Sequence, residues 1–344
     1  MVSILETGVR YVRNVPNYIF GSGAISSLEE ILDKRRTIDN GPVVYFVDSF
    51  FEGHHSLVSD LPMRVHDHLE FVPTKDEPTT DYINKVHDRL NNNCTRFPSA
   101  IVGIGGGIAL DTTKAISNLL TNGGKAEDYQ GWDLVKQSGV YKIGVPTVSG
   151  TGAEATRTCV ITNKKTGLKL GMNSEFTVFD QLILDPCLSQ TVPREQYFAT
   201  GMDAYIHSIE SLSGHYRNAI GDALSEQAIK ICREVFMSNN MMSDENRAKI
   251  MVASYLGGSA IATSYVGLVH PFSAGLSVVF GIHHCRANCV AMIAMRYFYP
   301  REFDAFMKMV EKQKIKLSDF RNYGKRLTKK QHDDLYAATI IHDK

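Results

Sequence analysis

The chain has 344 residues, of which 43% are hydrophobic and 22% charged, with 37 Lys plus Arg balancing 37 Asp plus Glu. That length supports two ordinary domains with a core that needs no staple, and the apolar share excludes a disordered chain. Zero net charge argues against a nucleic-acid binder relying on a broad basic field.

The first twenty residues lack an apolar stretch behind a basic start, so no secretory signal is read there. No apolar run approaches the ~18 residues of a membrane helix, so no membrane partner is expected. VVYFVD (43–48) reads as a short buried strand ending in an acid. AIVGIG (100–105) is a second strand, running into glycines and a helix over 108–120. KIGVPT (142–147) is a third. Strands alternating with helices predict a parallel sheet covered on both faces. The texture changes over 158–186, where TCVITNKKTGLKLGM reads as a hairpin and FTVFDQLILDP as a further strand. After Pro193 the pattern is helical over 196–212, 219–236 and 245–263, and around 273–279 and 288–297. The expected fold is an α/β Rossmann-like domain with a parallel sheet over 1–188 and an all-α domain over 189–344. The cleft between them is the default ligand site. Cys94, Cys159, Cys187, Cys232, Cys285 and Cys289 form no CxxC pair and read as reduced thiols of a cytoplasmic protein.

Gly103, Gly105, Gly106 and Gly107 separate the second strand from its helix, and Asp111 and Lys114 follow. The spacing is neither the GxGxxG fingerprint nor a P-loop. Consecutive glycines at a helix start still suit a phosphate cradle, with a ligand-free tight turn as the alternative. PTVSGTGAEAT (146–156), with Thr147, Ser149, Gly150, Thr151 and Gly152, is a second such loop at a strand end. Asp48 closes the first strand, VVYFVD, where an acid suits a ribose diol and repels a 2′-phosphate. It suits a helix cap equally well.

Asp203 and His207 in MDAYIH stand at i and i+4, on one face of a helix. His270 and His284 bracket a segment in which Pro271 and Gly281 put each histidine near a helix end. One carboxylate and three imidazoles suit Fe(II), Zn(II) or Co(II). Spacing alone leaves open that the four are unrelated.

GGGIALDTTK, PTVSGTGAEAT, MDAYIHSIE and VGLVH followed by GIHH together resemble the iron-containing alcohol dehydrogenase family, which shares a superfamily with dehydroquinate synthase and glycerol dehydrogenase. The resemblance runs from FGSGAI (20–25) through EPTT (77–80) to about residue 300. It implies a divalent metal, Fe2+ or Zn2+, on Asp203, His207, His270 and His284, which carry the catalysis. It implies NAD on Gly105, Gly106, Gly107 and Asp111, with Thr147, Thr151 and Gly152 on the second loop, Asp48 at the adenosine ribose and Lys169 near the adenine. The resemblance also implies a homodimer. Two family positions differ: the histidine usually found four residues after the third ligand is Ala274, and the serine after GGG is Ile108. The chain also ends sooner than typical members, which implies a shortened C-terminus.

A narrower resemblance, in YQGWDLVK, SGTGAEATRT, FTVFDQLILD and GLSVVFGIHHCRANC, points to the branch that oxidises the C8 alcohol of 3-deoxy-D-manno-octulosonate (Kdo) ahead of amination in lipopolysaccharide sugar biosynthesis. It implies a sugar-acid substrate, with Arg157 and Arg286 as candidate carboxylate partners, and leaves NAD or oxygen open as the acceptor. The rival readings are a dehydrogenase of a simple alcohol or aldehyde, a metal- and NAD-dependent lyase of the dehydroquinate synthase type, and a non-catalytic subunit.

Overall fold

The structure is a computed structural model and describes all residues except 1–3, 7–8, 10, 54–55, 94–95, 318–325 and 341–344; Cys94 lies outside the described residues. The strands are β1 (Asn17–Phe20), β2 (Val43–Asp48), β3 (His68–Val72), β4 (Ala100–Gly105), β5 (Gly131–Trp132), β6 (Lys142–Pro146), β7 (Thr158–Asn163), β8 (Leu168–Asn173) and β9 (Gln181–Leu184). The helices are α1 (Leu28–Asp39), α2 (Ser56–Ser59), α3 (Thr80–Asn93) and α4 (Gly107–Asn122), then α5 (Arg194–Ser211), α6 (Ala219–Met237), α7 (Asp244–Thr263), α8 (Val269–Phe280), α9 (His284–Met292), α10 (Pro300–Lys312) and α11 (Lys329–Ile340).

Six strands form one sheet in the order β1-β9-β6-β4-β2-β3, and every pairing is parallel. Central strands β2, β4 and β6 are apolar along their length because helices cover both faces. One face carries Leu28 and Leu32 of α1 against Val43, Tyr45 and Val102, and the other carries Ile116 and Leu119 of α4 against Val44 and Ile101. A small second sheet, β5-β8-β7, contains the expected hairpin as β7 and β8.

Beyond β9 the chain is helical. The middle of the bundle is α5, which is buried all round from Thr200 to Ser211 because α6, α7 and α9 all pack on it. Phe198, Met202, Tyr205 and Ile209 of α5 share one core with Cys232 and Phe236 of α6 and Ile250 of α7. Asn218 caps α6, its Oδ1 accepting from Gly221 N at 2.9 Å, and Ser243 caps α7 through Asn246 N at 3.3 Å. The helix expected over 288–297 starts at His284 and stops at Met292. Ile293, Ala294 and Met295 close three-residue turns onto Val290, Ala291 and Met292 instead, tightening the chain before Pro300.

Candidate active site

Helix α5 projects Asp203 and His207 from consecutive turns of a buried face, His270 is the second residue of α8, and His284 is the first of α9. Their four ligand atoms all lie within 4.8 Å of one another. Asp203 is 0% exposed and stands at the centre. His270 Nε2 is 3.3 Å and His207 Nε2 3.8 Å from its Oδ1, and His284 Nε2 is 3.5 Å from its Oδ2. The imidazoles of His207 and His270 stack with centroids 4.4 Å apart. Three Nε2 atoms and one carboxylate turned to a common point, in a buried setting, form a donor set that fits a divalent transition metal.

The surrounding groups prepare that set. Burial acts to raise the pKa of Asp203, but the imidazoles of His207, His284 and His270 outweigh it and hold the carboxyl ionised, far below its usual range. Burial drives His207 down to about 3 and His284 down to about 4, so both rings are neutral and able to ligate. His270 differs. Burial lowers its pKa too, but the carboxylate of Glu210 reverses that and lifts it to about 9. His270 Nδ1–H donates to Glu210 Oε2, which leaves Nε2 for a metal. Glu210 also accepts from the backbone N–H of His270 at 3.3 Å, tying the start of α8 to α5. Sequence reading missed Glu210, although its place one turn beyond His207 on the same helix was the available signal. It also missed Asn288, whose Nδ2 donates to Asp203 Oδ1 at 2.6 Å, and Cys285, whose Sγ lies 3.3 Å from Asp203 Oδ2.

One pH effect follows. Metal capture must expel the proton that His270 holds below pH about 9, whereas His207 and His284 hold none above about 4. Apparent metal affinity should therefore rise with pH between about 5 and 8 at about one proton per metal, not three. Glu210→Gln should flatten that slope near neutrality and lower the limiting affinity by roughly 10- to 100-fold. Calorimetry in buffers of different ionisation enthalpy counts the protons directly.

The cluster opens onto a cleft of about 1050 Å³ that also takes in Asp48, Gly106, Gly107, Asp111, Thr147 and Thr151. Gly106 caps α4, so the first N–H groups of that helix face the cleft without side-chain partners. Ser149 Oγ, on the second loop, is buried with no partner among the described residues and does not line the cleft. Exposed helix donors and glycines without side chains at parallel strand ends suit a dinucleotide's phosphates. Asp111 Oδ2 accepts from Val160 N at 3.0 Å, and burial pushes its pKa up to about 6. Lys114 belongs to the scaffold. It is 0% exposed, its Nζ donates to the carbonyls of Thr156 at 2.8 Å and Thr158 at 2.9 Å, and burial lowers its pKa to about 8.

Several expected roles change. Gly105 and Gly152 do not line the cleft. Gly105 has φ +153, and a Cβ there would meet Ala109 and Asp48, so this glycine serves strand-to-helix packing. Gly152 is pressed against the backbone of Gly258. Asp48 Oδ1 accepts from Phe50 N at 2.9 Å and Thr74 Oγ1 at 2.8 Å, so the residue caps a turn while still lining the cleft. Lys169, expected near the adenine, lines the cleft beside the metal cluster. Its Nζ is 3.1 Å from Glu77 Oε1, which also accepts from His284 N at 3.3 Å, beside the metal cluster. The β7–β8 hairpin carries it across to α8 and α9. Ala274, Ile108 and His283 all line the cleft, and Arg286 lies exposed at its edge. Arg157 is a buried wall residue paired with Asp133.

Comparison with known proteins adds to this geometry. A family model described as iron-containing alcohol dehydrogenase matches residues 16–186, and one described as Fe-containing alcohol dehydrogenase family, C-terminal, matches residues 197–334. Sulfoacetaldehyde reductase of Bilophila wadsworthia (strain 3_1_6) is 38% identical over 212 residues, covering 60% of this chain and 54% of that protein. The chain thus matches about half the length of this relative. NAD-dependent methanol dehydrogenase of Bacillus methanolicus is 29% identical over 283 residues, covering 80% and 72%. The solved structure of sulfoacetaldehyde reductase from Bifidobacterium kashiwanohense in complex with NAD+ has a TM-score of 0.78 at 22% identity, covering 96% of this chain and 92% of that one. This last likeness shows the fold: a parallel-sheet α/β domain followed by a helical one.

Proposed function

The chain belongs to the iron-containing alcohol dehydrogenase family, and on that premise we propose that it interconverts a primary alcohol and its aldehyde, using NAD and one divalent metal held by Asp203, His207, His270 and His284. The convergence of those four side chains, three of which line one cleft with the glycine loops, is the observation that carries the reading. When bound, the metal supplies a Lewis acid for the alcohol oxygen and NAD supplies the hydride acceptor. The chain's residues do the rest. Glu210 orients His270, the N-terminus of α4 holds the pyrophosphate, and Ala274, on α8 with His270, adds an apolar side chain at the metal end of the cleft.

The finer substrate reading is the C8 hydroxyl of Kdo, supported by YQGWDLVK, the GTGAEATRT segment and GIHHCRANC. A short sulfonated aldehyde is the second reading, favoured by the Bilophila relative. The unit boundary near residue 188, a cytoplasmic setting and a homodimer belong to the same proposal. The last is supported by edge strand β1, which pairs only with β9 among the described residues and exposes Tyr18 and Phe20. No helix of the described residues is long and apolar enough to cross a membrane. The test is turnover of metal-loaded protein with Kdo, sulfoacetaldehyde, ethanol and butanol, following NADH and peroxide together. Peroxide without any NADH change would replace NAD by oxygen as acceptor, and no turnover of any of them would sink the reading.

The nucleotide preference is separable. NADH should bind more tightly than NADPH, because an acid lining the cleft at the end of β2 would hydrogen-bond a free ribose 2′-hydroxyl and repel a 2′-phosphate. Asp48→Asn keeps an oxygen for Phe50 and Thr74 but removes the charge, and should narrow the gap by roughly tenfold. Fluorescence titration with both reduced nucleotides measures it, and an unchanged ratio removes Asp48 from that role.

A further inference from the structure

Arg157 is 3% exposed, and only Nη2 of its guanidinium has a partner, the carboxylate of Asp133. Its Nε and Nη1 are buried with no hydrogen-bond partner among the described residues. Guanidinium carries five N–H donors and does not lose its proton, so a buried one with two silent nitrogens is short of acceptors. The side chain is nevertheless held firmly. Ser174 N donates to the Arg157 carbonyl at 3.0 Å, and the indole of Trp132 lies 5.5 Å from Cζ, itself packed edge-on at 4.6 Å against Tyr265. All three of these side chains line the cleft that holds His207, His270 and His284.

The one partner is a weak tether. Asp133 is half exposed, 52% at the side chain, and its backbone sits in the left-handed region at φ +54, where a non-glycine residue is strained. A carboxylate so placed can turn out into water with little loss.

We propose that Arg157 is an anion-recognition site for the substrate: it receives a carboxylate or sulfonate at the end of the molecule remote from the reacting carbon, and that anion displaces Asp133. The proposal rests on the alcohol–aldehyde reading of the cleft and names the class of molecule that fits it, a small organic anion bearing a terminal hydroxyl or aldehyde. An anion anchored at Arg157 fixes the reach of the substrate across the cleft, and remote binding of this kind favours the correct alignment at the reacting end. Neutral alcohols of the same length forgo it.

Trp132 is the chain's single tryptophan, so intrinsic fluorescence reports on this place without requiring turnover. Metal-loaded protein without nucleotide is titrated with 4-hydroxybutanoate, 2-hydroxyethanesulfonate and butan-1-ol. Both anions should change Trp132 emission saturably and the neutral alcohol should not, with the tighter of the two separating a carboxylate from a sulfonate preference. Arg157→Gln should weaken the anions by about tenfold or more. Asp133→Asn, a change at the surface, should strengthen them severalfold, and it decides the matter alone if the arginine variant does not fold. Anion affinity unchanged in Arg157→Gln, affinity reduced in Asp133→Asn, or equal saturable binding of butan-1-ol each overturns the proposal. Anion binding that follows this pattern while no aldehyde oxidises NADH leaves the site standing and removes the catalytic reading beneath it.

Discussion

Asp203→Asn protein should emerge with almost no bound divalent metal while keeping the helical content of the parent. Every imidazole of the cluster faces this one carboxylate, at 3.3 to 3.8 Å, and the side chain is entirely buried. The amide keeps the shape and removes the charge that offsets the metal's. Breaking a buried, compensated charge pair costs about 3–5 kcal/mol, which corresponds to a loss in metal affinity of roughly 100- to 1,000-fold or more. Turnover should fall with metal content. Metal analysis after dialysis gives the answer, and stoichiometric metal in the variant would dismiss the assignment. Far-ultraviolet dichroism serves as the control for folding, because Asn288 can still hydrogen-bond the replacement amide oxygen.

Gly150→Ala should be among the most damaging single-methyl additions in the chain. Gly150 has φ +137, and a Cβ there would lie 1.6 Å from the carbonyl oxygen of Thr200 in α5. Neither the loop nor a helix backbone can yield that distance locally, so the loss should be about 3 kcal/mol or more, or a failure to fold. Gly167 is the matched control. Its φ is +68, but a Cβ there meets nothing within 4 Å, so Gly167→Ala should cost only about 1 kcal/mol. Urea unfolding of both variants measures the difference. Equal losses would show that backbone conformation, not the contact with α5, sets the penalty at Gly150.

The central strands were legible because burial on both faces makes VVYFVD, AIVGIG and KIGVP continuous apolar runs. Edge strands β1 and β3 were not, because NYIF and HLEFV carry the mixed polarity of a sheet margin. Asp203 and His207 could be paired by helical spacing, whereas bringing His270 and His284 to them needed the family pattern, since both sit at helix starts distant in sequence. Glu210 was invisible as a function because a buried acid in a helix has no signature until its partner is known. A glycine that admits a phosphate and one that admits another backbone look alike in sequence, and Gly152 proved to be the second kind.

That contact has a mechanical side. Gly152 touches Gly258 of α7, and Gly150 touches α5, so the loop that borders the nucleotide end of the cleft is welded at two points to the helices behind the metal cluster. Along this seam the halves of the molecule cannot draw apart without breaking backbone-to-backbone packing. If the cleft widens to admit a dinucleotide, these two backbone contacts make the seam the natural axle of that swing. A molecule jointed in this way would vary the width of its entrance with the least change in the spacing between the second loop and α5, the helix that carries Asp203 and His207.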